Sequence, residues 1–563
     1  MDPIQAHELI TGGETLSVEF KGESRKPYSD TDLVEAVSCL ANGEGGVLLL
    51  GVEDDGTITG ARPRHGSSTD PLRLQALIAN RTIPPLSARV TVLEIEPTQV
   101  VAIEVEESST PVGTNAGTYK RRAMQADGKP QCVPYPLHEM LSKTTSTGQS
   151  DYAQLRVHGA TWDDLDPMEF ERFRTFARRS SSDGDHGLAA LDDVEIARAL
   201  GVVSVGSDAV EPLMGALLLF GRPQALSRFA PTHEAAFQVL RGTKIEINET
   251  VTGGLLRVAE ELYRRFEVYN REQELDAGLV RLSIPLVPAE AVREAIANAL
   301  VHRDYTMMGA IRVQLSDDAL TITSPGGFPQ GVRLDNLLDD SRPRSRTLAD
   351  AFKRAGLVER SGRGIPRMFE STLRVGRAAP DFTRSTNESV VAVFPITEAD
   401  ASLARYVIEQ EQKTGRPSRL ADLQVLHELR QDGAVTALEA AELLQKTEPE
   451  TRSALARMIE DGVVEARGTG RGRTYHLSAA VYRALGSGSA YVRVRSFDPI
   501  QQRQMILNYV DAHGRITRSQ AAELSAISPT QASSLLRTLV QSGDLELRGE
   551  RRGAHYIKAT PVR

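Results

Sequence analysis

Ala440-Ala441-Glu442-Leu443 returns as Ala521-Ala522-Glu523-Leu524, and the offset of 81 residues between them holds well beyond these four letters. Gly433 meets Gly514, Thr436 meets Thr517, Leu455 meets Leu536, Gly462 meets Gly543, Arg467-Gly468 meets Arg548-Gly549, and Tyr475 meets Tyr556. A fixed period of this kind marks a duplicated structural unit. Each copy reads as a helix, a turn, a short helix, a second long helix and a hairpin with a basic tip, the pattern of a winged helix. Two winged-helix domains are expected, over residues 402–485 and 498–563. The candidate groove readers are residues 448–460, with Arg452 and Arg457, and residues 528–541, with Gln531, Ser533, Ser534 and Arg537. At the hairpin tips, Arg467, Arg471 and Arg473, then Arg548, Arg551 and Arg552, would lie along phosphates, adding affinity without reading sequence. The same fold also serves as a plain protein-interaction module.

Composition bounds the rest. A chain of 563 residues with 40% hydrophobic content can build several cores and suggests three to five domains. A net charge of −9 and a pI near 5.8 argue against nonspecific coating of nucleic acid and leave room for a local basic surface. Cys39 and Cys132 make no disulfide framework and lack metal-ligand spacing, so a reducing compartment is expected and zinc is not. Met1-Asp2-Pro3-Ile4 carries no basic leader, and the longest apolar run, 213–220, is far short of the roughly 20 residues of a spanning helix. A soluble, cytoplasmic protein with no membrane association is expected.

Toward the N-terminus, Gly13-Glu14-Thr15-Leu16-Ser17-Val18-Glu19-Phe20-Lys21 is followed, after the apolar run 47–52, by Glu53-Asp54-Asp55. Carboxylates with a lysine on adjacent strand ends can hold Mg²⁺ or Mn²⁺ and activate a water for phosphodiester cleavage. Solvated carboxylates at strand ends are the plainer reading. The spacing of Glu14 and Glu19 would send them to opposite faces of one strand, so Glu14 is expected on a turn made by Gly12-Gly13. Glu14 to Lys21, then Cys39-Leu40-Ala41-Asn42-Gly43-Glu44-Gly45-Gly46, then Gly51-Val52-Glu53-Asp54-Asp55-Gly56, resemble in order the motifs of the Schlafen/AlbA-type domain. The resemblance implies a mixed-sheet domain over residues 1–147, a metal held by Glu14, Glu19 and either Glu53 or Asp54 beside Lys21, and cleavage of structured RNA such as tRNA. Near its end, Tyr119 beside Lys120, Arg121 and Arg122 suits phosphate contact with base stacking, and equally a charged edge strand that discourages aggregation.

Residues 148–284 read as a linking α+β domain, with helical patterns at 167–178, 191–200 and 250–269, a mobile loop at 180–185 and a core stretch at 212–220. Beyond it, Glu294 and Asn298 in Arg293-Glu294-Ala295-Ile296-Ala297-Asn298 lie four apart and share a helix face, where Asn298 can place an oxygen on Mg²⁺ and Glu294 can orient a water. Strand patterns at 310–315 and 320–323, the turn Ser324-Pro325-Gly326-Gly327 and a glycine-rich loop through Gly362-Arg363-Gly364 follow. In that order these elements resemble a divergent GHKL-type ATP-binding domain over residues 285–397, the fold shared by gyrase, a heat-shock chaperone and histidine kinases. The resemblance implies an α/β sandwich that binds ATP and Mg²⁺ through Glu294, Asn298, Gly326, Gly327, Gly362 and Gly364, with Arg346 and Arg363 as candidates for the γ-phosphate. Where that family has an adenine-binding aspartate, this chain has Ser324.

The expectation is an α/β multidomain, ATP-responsive nucleic-acid-binding protein, a DNA-binding transcriptional regulator with a Schlafen-like head. The alternative is a metal-dependent endoribonuclease acting in phage defence, with weak ATPase activity in either case. The expected partners are DNA or structured RNA, ATP, and a second copy of the chain.

Overall fold

Two neighbouring parallel strands need a crossover between them, and the first part of the chain supplies a helical one. Val18–Lys21 runs parallel to Gly46–Leu50, with the helix Asp30–Asn42 joining them. Thr98–Val105 and Ala88–Ile95 extend this to a four-stranded sheet by antiparallel pairing. Alternation along the strand sends Leu48 and Leu50 to the face covered by Leu33, Val37 and Leu40 of the helix, while Leu49 joins Phe20, Ala6 and Ile10 on the other. Each such leucine contributes roughly 1.5–3 kcal/mol of burial. The helix starts where the Ser29 hydroxyl accepts from the Asp32 N–H.

A hairpin, Lys120–Met124 with Pro130–Pro134, leads to the helix Leu137–Ser146. This hairpin corrects the reading of the cysteines. Cys132 on it is disulfide-bonded to Cys39 in the buried helix Asp30–Asn42. A separation of 93 residues gives no sequence signal for the pair, which only tertiary packing brings together.

The next sheet has five strands in the order Lys244–Val251, Ala235–Arg241, Ile311–Leu315, Ala319–Pro325 and Ser389–Pro395. The second and third are parallel and the other pairs antiparallel. Two of its strands thus come from residues assigned on sequence to the linking segment. Pairing across the more than 60 residues between Ala235↔Ile311 partners is not written in any local pattern. The Ala-rich helix Ala289–Val301 packs on this sheet beside Leu255–Glu267, and Met214–Phe220 is buried throughout.

In the C-terminal part, the helices Leu420–Gln431, Ala437–Leu444 and Glu448–Glu460 close one core with a three-stranded sheet of Val435–Thr436, Thr474–Leu477 and Val464–Arg467. Pro499–His513, Arg518–Ser525 and Pro529–Gln541 build a second core with Leu545–Arg548 and His555–Lys558. The offset of 81 survives in three dimensions. Val435 pairs with Tyr475 and Ile516 with Tyr556, Val464 with Leu477 and Leu545 with Lys558, Arg467 with Thr474 and Arg548 with His555.

The protein is a multidomain α/β chain with mixed sheets, and it divides into two compact units. One comprises residues 1–271, 285–368 and 380–396, the other 272–284, 369–379 and 397–563. The computed structural model describes residues 1–563 apart from 96, 127, 149, 181–183, 206–209, 278–279, 340–341, 359–362, 469, 486–498, 526–528, 549–554 and 560–563. Gly362, Arg551, Arg552 and the middle of the loop expected at 180–185 lie outside the described residues, as do the side chains of Arg471 and Gln531. Among the described residues no helix is long and apolar enough to cross a membrane.

Candidate functional site

The head brings Glu14 and Glu19 together and places a cation between them. Gly13, at φ +78°, ends the helix Pro3–Gly12 and turns the chain so that Glu14 lies off the strand and accepts the Phe20 N–H at 2.9 Å. Glu19 is 4% exposed. Its two oxygens are taken by Lys21 Nζ at 2.8 Å and by Arg122 at 2.6 Å. The Arg122 guanidinium also donates to the carbonyls of Thr15 and Val18, each at 2.9 Å, and lies 3.8 Å from Glu14. Two carboxylates and two cations therefore cluster here, with Glu19 and Arg122 buried and Glu14 and Lys21 half-buried.

Glu53 and Asp54 do not join it. Glu53 accepts from Thr59 Oγ1 at 2.7 Å, which with the Ser24 contacts holds its carboxyl below the usual range, and Asp54 is exposed in the following turn. Among the described residues no three His, Cys, Asp or Glu side chains converge as metal ligands. The expected triad of Glu14, Glu19 and Glu53 or Asp54 is thus not assembled, because Arg122 and Lys21 occupy the positions a cation would take. The donor set in this arrangement does not fit Mg²⁺ or Mn²⁺.

The three cations expected on nucleic acid each face a carboxylate of their own chain instead. Lys120 pairs with Glu35 at 2.6 Å, Arg121 with Glu139, and Arg122 is buried on Glu19. Sequence reasoning missed this cluster. Nothing in the spacing of Arg122 distinguishes it from its neighbours, since only the hairpin and its bond to Cys39 aim it inward.

A cavity of about 150 Å³ lies in the same unit, under the helix Ala289–Val301. It is lined by Glu294, Asn298 and His302 on that helix face, by Ile322 and Ser324 on the sheet, and by Phe328, Phe382 and Met368. Arg342 and Lys353 bring positive charge to its rim. The predicted four-residue spacing thus places Glu294 and Asn298 together. The cavity's volume is below the roughly 300–1,000 Å³ of most ligand sites.

Ser324 donates to the Ala299 carbonyl at 2.8 Å, which leaves its oxygen lone pairs to accept from an amino group, the part the missing aspartate would play. Burial, with Arg344 and Lys353 nearby, pushes His302 down to about 4, so its ring is neutral at pH 7. A neutral imidazole at His302, an acceptor at Ser324, an amide at Asn298 and the cations Arg342 and Lys353 are therefore gathered around this cavity.

Two predicted residues do different work. Gly326, at φ +94°, and Gly327 give their N–H groups to the carbonyls of Glu388 and Asn387, so neither is available to a phosphate. Gly364 begins the helix Gly364–Arg374, and a Cβ there would collide with the Glu294 carboxylate, so this helix entry closes on Glu294. Arg346 opens the helix Arg346–Arg354, and neither it nor Arg363 is among the residues that line the cavity.

Sequence reasoning also passed over the link between the two places. Asp304, 1% exposed, accepts from Thr306, lies 3.5 Å from Arg344, and is bonded by Ser142 of the helix Leu137–Ser146. That same helix holds Arg121 through Glu139, and through Lys143 it reaches the Asn42 carbonyl at 3.1 Å. One helix therefore touches both the hairpin that carries Arg122 and the loop that follows the cavity helix.

In the C-terminal unit, Arg457 is tied to Asp422 at 2.8 Å, Arg452 to Glu448, and Arg473 lies over the Tyr475 ring at 5.5 Å. Arg537 is exposed on the helix Pro529–Gln541.

Three family models match segments of the chain. Residues 14–128 match the family described as "Schlafen, AlbA_2", residues 138–236 match a domain of unknown function, DUF8451, and residues 309–394 match "Putative ATP-dependent DNA helicase recG C-terminal". Residues 14–128 are thus similar to an AlbA-type domain, and residues 309–394 to the C-terminal domain named for recG. The chain is similar to the crystal structure of the DIP2311 protein from Corynebacterium diphtheriae, with 22% identity over 99% of each chain and a TM-score of 0.49. It is also similar to the solution structure of the N-terminal domain of a "Putative ATP-dependent DNA Helicase RecG-related Protein" from Nitrosomonas europaea. That likeness has 19% identity over 24% of this chain and 97% of the other, with a TM-score of 0.17. No curated protein matches the chain.

Proposed function

We propose that this chain is a nucleotide-responsive, duplex-binding regulator. The observation that carries the reading is the repeated unit of three helices and a hairpin, whose strand register recurs at an offset of 81. Taken as winged helices, these units would set a helix in the major groove and a hairpin along the backbone. The family matched by residues 309–394 is named for an ATP-dependent DNA helicase, which supports pairing a nucleotide with a nucleic-acid task.

In this reading the base enters the cavity with its amino group on Ser324, and Asn298 and Glu294 face the Mg²⁺ and the phosphates. A ligand would then act on the close contact between Gly364 and Glu294, and the Ser142–Asp304 bond would connect the segment after the cavity helix to the helix Leu137–Ser146. The nuclease alternative rests on the pairing of Glu14 with Glu19 and requires Arg122 to withdraw first.

Fluorescence anisotropy of a labelled DNA duplex, with and without ATP and Mg²⁺, tests the proposal. ATP is expected to change duplex affinity at least several-fold in the wild type and not in Asn298→Ala. An affinity indifferent to ATP sinks the nucleotide-responsive reading. Mn²⁺-dependent cleavage of tRNA, lost in a Glu14→Ala/Glu19→Ala variant, would replace it with the nuclease.

A further inference from the structure

The two repeats share the same order of helices and hairpin and differ in the balance of their charges. Over residues 420–477 the first carries ten carboxylates against seven cations, and over the equivalent 501–558 the second carries five against eight. The reversal falls on the elements a duplex would meet. Arg515, Arg518 and Arg537 of the second repeat correspond to Ala434, Ala437 and Ala456 of the first. All three arginines are exposed, and no ion pair engages them among the described residues. Arg518 opens the helix Arg518–Ser525, and Arg537 stands on the helix Pro529–Gln541 near the exposed Ser534 and Thr538.

The helix Pro529–Gln541 has no carboxylate at all. Its counterpart Glu448–Glu460 presents Glu448, Glu450 and Glu460, all exposed. Glu450 also closes a capping box with Thr447, so this helix N-terminus is already neutralised by its own acids. Phosphate approaching there would meet negative charge. Of the first repeat's arginines, those at 430, 452, 457 and 467 are held by Asp400, Glu448, Asp422 and Glu465, and Arg473 lies over the Tyr475 ring.

We propose that duplex contact belongs to the second repeat alone, through Arg515, Arg518 and Arg537 on the backbone and the groove edge, and that the first repeat keeps the fold without the contact. The inference rests on reading these units as winged helices that bind DNA. Each lost phosphate contact lowers the slope of log affinity against log salt by roughly 0.9.

The test measures duplex binding by the full-length protein across a salt series. Arg518→Ala/Arg537→Ala is expected to weaken affinity about 10- to 100-fold and to reduce the slope by about two. Arg452→Ala/Arg473→Ala should leave both within twofold, and Arg518→Lys/Arg537→Lys should keep the slope. Both alanine pairs alter exposed or partly exposed side chains, and equal thermal unfolding midpoints confirm that all variants are folded. Loss of binding in Arg452→Ala/Arg473→Ala overturns the division between repeats while leaving the regulator reading in place. No salt-dependent binding by the wild type at low salt overturns both.

Discussion

Arg122 shows how one side chain changes the meaning of two others. The buried guanidinium donates to Glu19 at 2.6 Å, and removing it would leave that carboxylate buried with Lys21 as its remaining cation. Histidines provide a second case. Burial pushes His302 and His233 down to about 4, from 6.5 in an unfolded chain, and lowers His427 and His476 as well. Below pH about 6.5 the unfolded chain takes up protons that the folded rings refuse, so these groups favour folding fully above that pH and less as the pH falls toward 4. Urea unfolding midpoints are expected to be flat from pH 8 to 7 and to fall steadily from 6.5 to 4.5, less steeply in His233→Asn. A midpoint that rises over that interval would contradict the burial of these rings.

At the scale of elements, the repeats use the same device at the same place. Thr436 caps the helix Ala437–Leu444 by accepting from Glu439, and Thr517 accepts from Gln520, each at 3.3 Å. The side chains of Glu439 and Gln520 return bonds to the cap amides at 2.8 and 2.9 Å. Thr436→Ala and Thr517→Ala should each cost about 0.5–2 kcal/mol, read as faster amide exchange in the helix that follows. A cap that proves silent in one repeat and costly in the other would show that the duplicated sequence has lost its duplicated role. These caps were legible in the sequence because Thr436 and Thr517 stand at equal places in the repeat, three residues before Glu439 and Gln520. The close fit of Gly364 against Glu294 was not, since its partner lies some 70 residues away.

For the molecule as a whole, the bond between Cys39 and Cys132 pins the hairpin carrying Arg122 to the head's central helix. Closing a loop of 93 residues restricts the unfolded chain, and its loss should cost about 2–5 kcal/mol. Reductant is expected to lower the unfolding midpoint of the wild type to that of Cys39→Ser/Cys132→Ser and to leave that double variant unchanged. Identical midpoints with and without reductant would mean that the sulfurs are not bonded in solution. The sequence alone determined what is local or periodic: the duplication, the helix that puts Glu294 and Asn298 on one face, the turn at Gly13 and the strands that follow it. Tertiary structure alone decided which charges meet. Arg122 on Glu19, Ser142 on Asp304, and Ala235–Arg241 beside Ile311–Leu315 join residues far apart in the chain. Side-chain periodicity records which face of an element is buried, and it carries no record of what will be buried against it.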